Sequence, residues 1–178
     1  GRWDKIIWSE LFQYGLKGYI KSIRDVIRYT NVFSLKYQLL KDETDPIDLL
    51  GLTVLQVFEP SIYSRLTAYK DKLCGSNYGY SFEREKEEKE DINKLASILI
   101  DNNEGTLNRE AAVNILGVLF PRMRTVKDIP YNIGRDYSKD EFLTNHNIAV
   151  PECFDRYFSL SLGDDAIPTA TMRNLIYE

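Results

Sequence analysis

Two arginines four residues apart, Arg24 and Arg28, sit at the start of a helix that reads IRDVIRYTNVFSLKYQLL. That spacing puts both guanidinium groups on one helix face. Both fall in the first two turns, where the helix dipole disfavours cations. A pair of cations held there against the dipole fits a site that meets an anion. It equally fits a solvated face with acidic neighbours elsewhere, and the spacing leaves both readings open. The other candidates are weaker. His146, Cys153 and Asp155 lie close together and could form a nucleophilic Cys–His arrangement. However, His146 stands in an Asn-rich loop and Cys153 on an apolar stripe, so a structural role is expected. Arg122, Arg124 and Lys127 form a small basic cluster that could meet a nucleic-acid backbone, but the net charge of -4 counts against that use. Trp3 and Trp8 could be ligand platforms, yet on an amphipathic helix they are expected at the core or its rim.

The remaining inventory excludes several chemistries. No G-x-x-x-x-G-K-[ST] phosphate loop is present, and the glycines fall at helix ends and turns. One histidine and two distant cysteines, Cys74 and Cys153, cannot supply the four nitrogen or sulfur ligands of a structural zinc site. The two cysteines read as free thiols of a reducing, cytoplasmic compartment. No apolar run approaches the roughly 20 residues needed to span a bilayer, and no signal peptide is seen.

The elements that would position Arg24 and Arg28 are all helical. Trp3 to Leu16 carries apolar residues at helical steps, with Gly15 and Gly18 favouring a stop. Ser22 and Asp25 form a capping box. Ile23, Val26, Ile27, Thr30, Phe33, Tyr37 and Leu40 follow as one apolar stripe. Asp45-Pro46 is a strong start signal. The helix behind it, about 46–58, has almost no polar face, so it is expected to be the buried centre of the fold. Gly51 there should permit a close helix contact. Glu59-Pro60 ends this helix and begins another, with Ile62, Leu66 and Tyr69 on one face and a stop at Cys74. A charged run, Glu83 to Asp91, reads as a solvated helix face or a mobile link, and a flexible charged segment is expected at about 76–91. It leads into Ile92, Leu95 and Leu99. Asn108 caps a further helix, and 127–142 shows no clean period. Pro151 opens an aromatic helix edge with Cys153, Phe154, Tyr157, Phe158 and Leu160, and Pro168 to Tyr177 reads as a last short helix. The expectation is an all-α, irregular bundle of about eight helices in a single domain, 1–178. The first residues are Gly-Arg-Trp, without a methionine, so the chain reads as a piece of a longer protein.

The texts RDVIRYTNVFSLKYQLLKDE and DPIDLLGLTVLQVFEPSIYSRLTAYKDKL, followed by LFPRMR and CFDRYFSLSL, resemble the KAP family of P-loop NTPases in content and order. They cover roughly half of the chain. The resemblance implies an α/β core upstream that carries the Walker motifs, binds ATP and Mg and hydrolyses ATP. By the same resemblance, the present chain looks like the helical part behind that core and is expected to do no catalysis of its own. Its implied role is to transmit nucleotide state to a partner or to a membrane-proximal part of the parent. Bacterial members of the family are linked to phage exclusion and membrane-associated signalling. An arginine at such a helix start can sense bound nucleotide in related NTPases, so Arg24 is the candidate sensor and Arg28 its neighbour. The family usually has proline before this arginine, where the chain has Ile23. A different class of function is suggested by the twelve tyrosines: a helical protein–protein interaction module with no nucleotide role.

Overall fold

The computed structural model describes residues 3–74, 82–101, 105–126, 134–135 and 138–159. Among them every regular element is helical and none is a strand, as the periodicities predict. The centre is α3 (Pro46–Phe58). Its start follows from local chemistry: the Asp45 side chain accepts from the N–H groups of Ile47 (2.9 Å) and Asp48 (3.0 Å), and Pro46 fills a position that needs no donor. With nearly all of its residues buried, α3 draws in α2 (Ile23–Leu40), α4 (Pro60–Leu66) and α7 (Arg109–Leu119) as its neighbours. A methyl group at Gly51 would lie 3.1 Å from Leu119 Cδ2 and 3.2 Å from Leu11 Cδ1. The missing side chain therefore lets α3 close on α7 and on the first helix at once.

That first helix, α1 (Lys5–Glu10), is capped by Asp4 and runs on as a π-helical turn (Leu11–Gly15) and a 3-10 turn (Leu16–Gly18). It therefore passes Gly15, where the sequence suggested a stop. At Gly15 a Cβ would meet Ile115 Cγ1 at 2.5 Å, so only a hydrogen fits where the wide turn lies on α7. The Ser22–Asp25 capping box forms as expected.

Most of the apolar stripe of α2 turns out to face away from the core, although Leu40 is buried and Phe33 packs against the core. Tyr29, Lys36 and Leu40 face α3, whereas Ile23 is 79% exposed and Ile27 54%, with Val26 and Tyr37 exposed beside them. An 18-residue helix with apolar groups along two edges can bury only one edge against one neighbour. The sequence shows the stripe and not which edge α3 takes.

Helix α4 continues through a 3-10 turn (Thr67–Tyr69) into α5 (Lys70–Leu73), ending at Cys74. The charged run lies within α6 (Phe82–Ala96), which continues as a π-helical turn (Ser97–Asp101) and buries Ile92, Leu95, Leu99 and Ile100. Residues 76–81 of the expected flexible segment lie outside the described residues. Asn108 caps α7 as predicted, accepting from Ala111 N at 3.1 Å. A 3-10 turn (Pro121–Thr125) follows. Helix α8 (Lys139–Thr144) stands at the end of the stretch that showed no period, opened by a Ser138–Glu141 capping box. The aromatic edge is α9 (Pro151–Phe154) and a 3-10 turn (Asp155–Phe158), whose Cys153, Phe154, Tyr157 and Phe158 are buried. Leu160 and the helix expected over Pro168 to Tyr177 lie outside the described residues.

Candidate functional site

The site begins at the first turn of α2. Asp25 accepts from Ser22 N and Ser22 Oγ at 2.9 Å each, and from Lys21 N at 3.1 Å. The Ser22 hydroxyl, followed by the Lys21 N–H, holds this carboxyl below its ordinary range, so the box stays ionised and closed. Arg24 projects from the turn so fixed. It is exposed and makes no hydrogen bond or ion pair with any described residue.

Arg28, one turn on, is engaged differently. Its guanidinium lies 5.1 Å from the centre of the Phe58 ring, and Nη2 donates to the Val57 carbonyl. That carbonyl belongs to the last turn of α3, where helix carbonyls lack intrahelical partners and favour a cation. Both candidate arginines thus lie on α2 as predicted, and among the described residues Arg28 is bonded while Arg24 is not.

Arg24 lies in the part of the sequence that leaves the most large apolar side chains exposed. Of the twelve large apolar side chains exposed among the described residues, nine fall between Trp3 and Leu39. They include Trp3, Ile6, Phe12 and Tyr14 on the first helix, and Ile23, Val26 and Ile27 on α2. The Trp3 and Trp8 rings meet tilted at 5.4 Å and those of Trp8 and Phe12 at 5.8 Å, an aromatic row at the rim of the core. Residues 1–40 hold seven lysines and arginines against three acids, in a chain whose total charge is -4. Those acids are tied into local bonds: Asp4 caps α1, Asp25 closes the box, and Glu10 accepts from Gly134 N at 2.8 Å. Lys5, Lys17, Lys21 and Arg24 remain exposed. Exposed apolar side chains are thus concentrated in the first forty residues, alongside four exposed cations.

The opposite face of α2 holds a residue that the sequence did not single out. Lys36 is only 3% exposed, and among the described residues no carboxylate pairs with it. Its Nζ donates to Gln56 Oε1 (3.0 Å) and reaches Tyr63 Oη at 3.5 Å, 5.3 Å from the centre of that ring. Burial drives its ammonium down to about 8 from the usual 10.5. The unfolded chain then holds this proton up to pH 10.5 and the folded chain releases it near pH 8. Stability should therefore rise between pH 8 and 10.5, and the full penalty is present below pH 8. Lys36→Met should raise stability at pH 7 by up to about 3 kcal/mol and remove that rise. Urea denaturation at pH 7 and pH 10 checks both effects, and an unchanged pH slope in the variant would contradict the burial argument.

Two buried polar clusters hold the frame on which α2 is mounted. In the first, Arg135 donates from Nη2 to Asp45 Oδ1 (2.8 Å) and from Nη1 to Asp48 Oδ1, with all three side chains almost fully buried. Asp48 Oδ2 also accepts from Asn147 Nδ2 (3.0 Å) and Ile148 N (2.9 Å). Tyr157 Oη accepts from Asp45 N (2.8 Å) and donates to the His146 carbonyl (2.6 Å). Burial first, and then the adjacent Asp48 charge, push the Asp45 carboxyl up to about 6, while Arg135 opposes the rise. In the second, Glu59 accepts from Tyr19 Oη (2.8 Å), Leu107 N (3.0 Å) and Asn108 N (2.9 Å) at the start of α7.

The remaining sequence candidates fall to structural roles. Arg122 Nη1 donates to the Asp71 carbonyl (3.1 Å), and Arg124 donates to those of Arg135 and Gly134 (2.9 Å each). Lys127 lies outside the described residues. Cys74 and Cys153 are free and buried, and burial pushes both thiols up, Cys74 to about 12, which makes them poor nucleophiles. Asp155 is paired with Lys70 at 2.6 Å. Among the described residues no group of three or more histidine, cysteine or carboxylate side chains is placed to hold a metal ion. No helix among them is long and apolar enough to cross a membrane.

The signals for the missed residues were local. Asp48 and Glu59 are the acids in and at the end of the apolar α3, and S-x-x-E at Ser138 marks α8. Lys36 and Arg135 carried no such signal. The chain matches no family model, no curated protein and no solved structure.

Proposed function

We propose that this chain is the helical accessory part of a KAP-type P-loop NTPase, docked against an ATP- and Mg-binding core through the exposed face of its first two helices. Arg24 is carried on that face to the bound nucleotide, and the helical body passes the nucleotide state on to a partner. The observation that carries this reading is the concentration of exposed apolar side chains between Trp3 and Leu39, the same segment that carries Arg24, which is exposed and pairs with no described residue. A helix edge that is apolar in sequence and open in the fold serves as a contact for a second body. The resemblance in sequence supplies the identity of that body. A guanidinium at the rim of such a contact suits a phosphate, because it offers a planar, permanently charged, bidentate fork.

Ile23→Ser/Ile27→Ser is the test. Both side chains are solvated in this chain, so its own stability should change by no more than about 0.5 kcal/mol. In the longer protein that carries the Walker motifs, the same pair should loosen the helical part from the core, and limited proteolysis should release it. Equal protease resistance of variant and wild type there would refute the docking. The exposed aromatics Trp3, Phe12 and Tyr14 also favour a second reading, a protein–protein module with no nucleotide role. On that reading docking would persist and ATP turnover would ignore Arg24.

A further inference from the structure

Arg24 and Arg28 share a helix face, and the structure divides their roles. Arg28 stands over Phe58 and donates to Val57 O, which ties the second turn of α2 to the end of α3. The contact does not stop there. The Phe58 ring is stacked on Tyr19, with centres 5.4 Å apart and planes at 17°. Tyr19 Oη donates to Glu59 Oε1 (2.8 Å), with the Asn108 carbonyl a second acceptor within reach at 3.1 Å. Glu59 in turn holds the N–H groups of Leu107 and Asn108, the last residues before α7. One unbroken set of packed and hydrogen-bonded groups therefore runs from the open face of α2 to the N-terminus of α7. Residues 19, 58 and 59 are all buried, and Arg28 is the member that reaches the surface at the α2 end.

We infer that Arg28 is a positioning residue that couples α2 to α7 through Phe58, Tyr19 and Glu59, and that it does not bind nucleotide. Its bearing on turnover rests on the NTPase reading above, whereas the coupling itself is a property of this chain alone. A displacement of the first turns of α2, where Arg24 would meet a phosphate, drags the guanidinium of Arg28 across the Phe58 ring. The stack and the carboxylate behind it carry the disturbance to the α7 start. Contiguity becomes coupling only if one end responds to a change at the other, and that response is measurable.

The experiment has two arms. In this chain, amide hydrogen exchange is followed at Leu107 and Asn108, with Phe142, whose amide bonds Ser138 in α8, as the remote control. Arg28→Ala should speed exchange at Leu107 and Asn108 about tenfold, the usual size of coupling between sites, and leave Phe142 alone. Arg28→Lys keeps a cation over Phe58 and should fall between the two, and it serves as the test variant should alanine prevent folding. Wild-type exchange at Leu107 and Asn108 in both variants would overturn the inference.

In the longer protein, Arg28→Ala should lower kcat and leave KM for ATP unchanged, with partial rescue by lysine. A rise in KM matching that of Arg24→Ala would place Arg28 on the nucleotide and also overturn the inference. If Arg24→Ala leaves turnover untouched, the NTPase reading fails, and the exchange arm still decides the coupling.

Discussion

Replacing Arg135 by methionine should cost about 3–5 kcal/mol of unfolding free energy, because it strands two buried carboxylates. Asp45 and Asp48 approach the same guanidinium from the first turn of α3, and neither has another cation among the described residues. Removing the fork leaves two anions facing each other in the interior of the chain. Against a typical total stability of about 5–15 kcal/mol, that loss is a large share. The expected rescue identifies the cause. Arg135→Met combined with Asp45→Asn and Asp48→Asn removes the charges together and should recover most of the loss, since asparagine still caps a helix. Urea denaturation of the three proteins makes the comparison. A loss below about 1 kcal/mol in the single variant, the range of exposed pairs, would mean that the cluster is solvated.

Glu59→Ala should cost about 3 kcal/mol, because it removes the acceptor of three donors: the Leu107 and Asn108 N–H groups lose their bond outright, while Tyr19 Oη keeps the Asn108 carbonyl, and an unsatisfied group is worth about 1–3 kcal/mol. The donors are Tyr19 Oη and the N–H groups of Leu107 and Asn108, and the carboxylate also faces the positive end of α7. Glu59→Gln retains an acceptor oxygen in the same place and should be milder. Tyr19→Phe removes only one of the three bonds and should cost about 1 kcal/mol. If alanine and glutamine prove equally mild, the carboxylate is not what fastens α7 to α3. Thermal and urea unfolding separate these cases.

The parts of the fold governed by short-range rules could be read from the sequence. The Asp45-Pro46 start, the saturated apolar helix behind it, the Ser22–Asp25 box and the Asn108 cap each depend on residues within four positions of one another, and all four form. Gly51 was legible too, because a glycine in a helix buried all round needs a close neighbour. What escaped the reading depends on partners far along the chain. Arg135 sits 90 residues from Asp45 in a stretch without periodicity. Lys36 carried no signal, because nothing near it in sequence says that Gln56 and Tyr63 will enclose it. The direction of the α2 stripe was decided by α3, which takes Tyr29, Lys36 and Leu40 and leaves Ile23 and Ile27 outside. For the same reason the Arg24–Arg28 spacing gave the shared face but not the division of labour, which was set by Val57 and Phe58.

The most direct test of the proposed nucleotide role is ATP hydrolysis by the longer NTPase proposed to carry this chain, wild type against Arg24→Ala, with this chain alone as the control. This chain has no phosphate loop and should be inactive by itself. Arg24 is exposed and pairs with no described residue, so the variant should fold with unchanged stability. A guanidinium that meets the transferred phosphate should be worth at least tenfold in turnover, about 1.4 kcal/mol. A drop of that size with the fold intact supports Arg24 as the group that reads the nucleotide. Unchanged turnover would remove the nucleotide from its role and leave the exposed face of the first two helices as a docking surface alone.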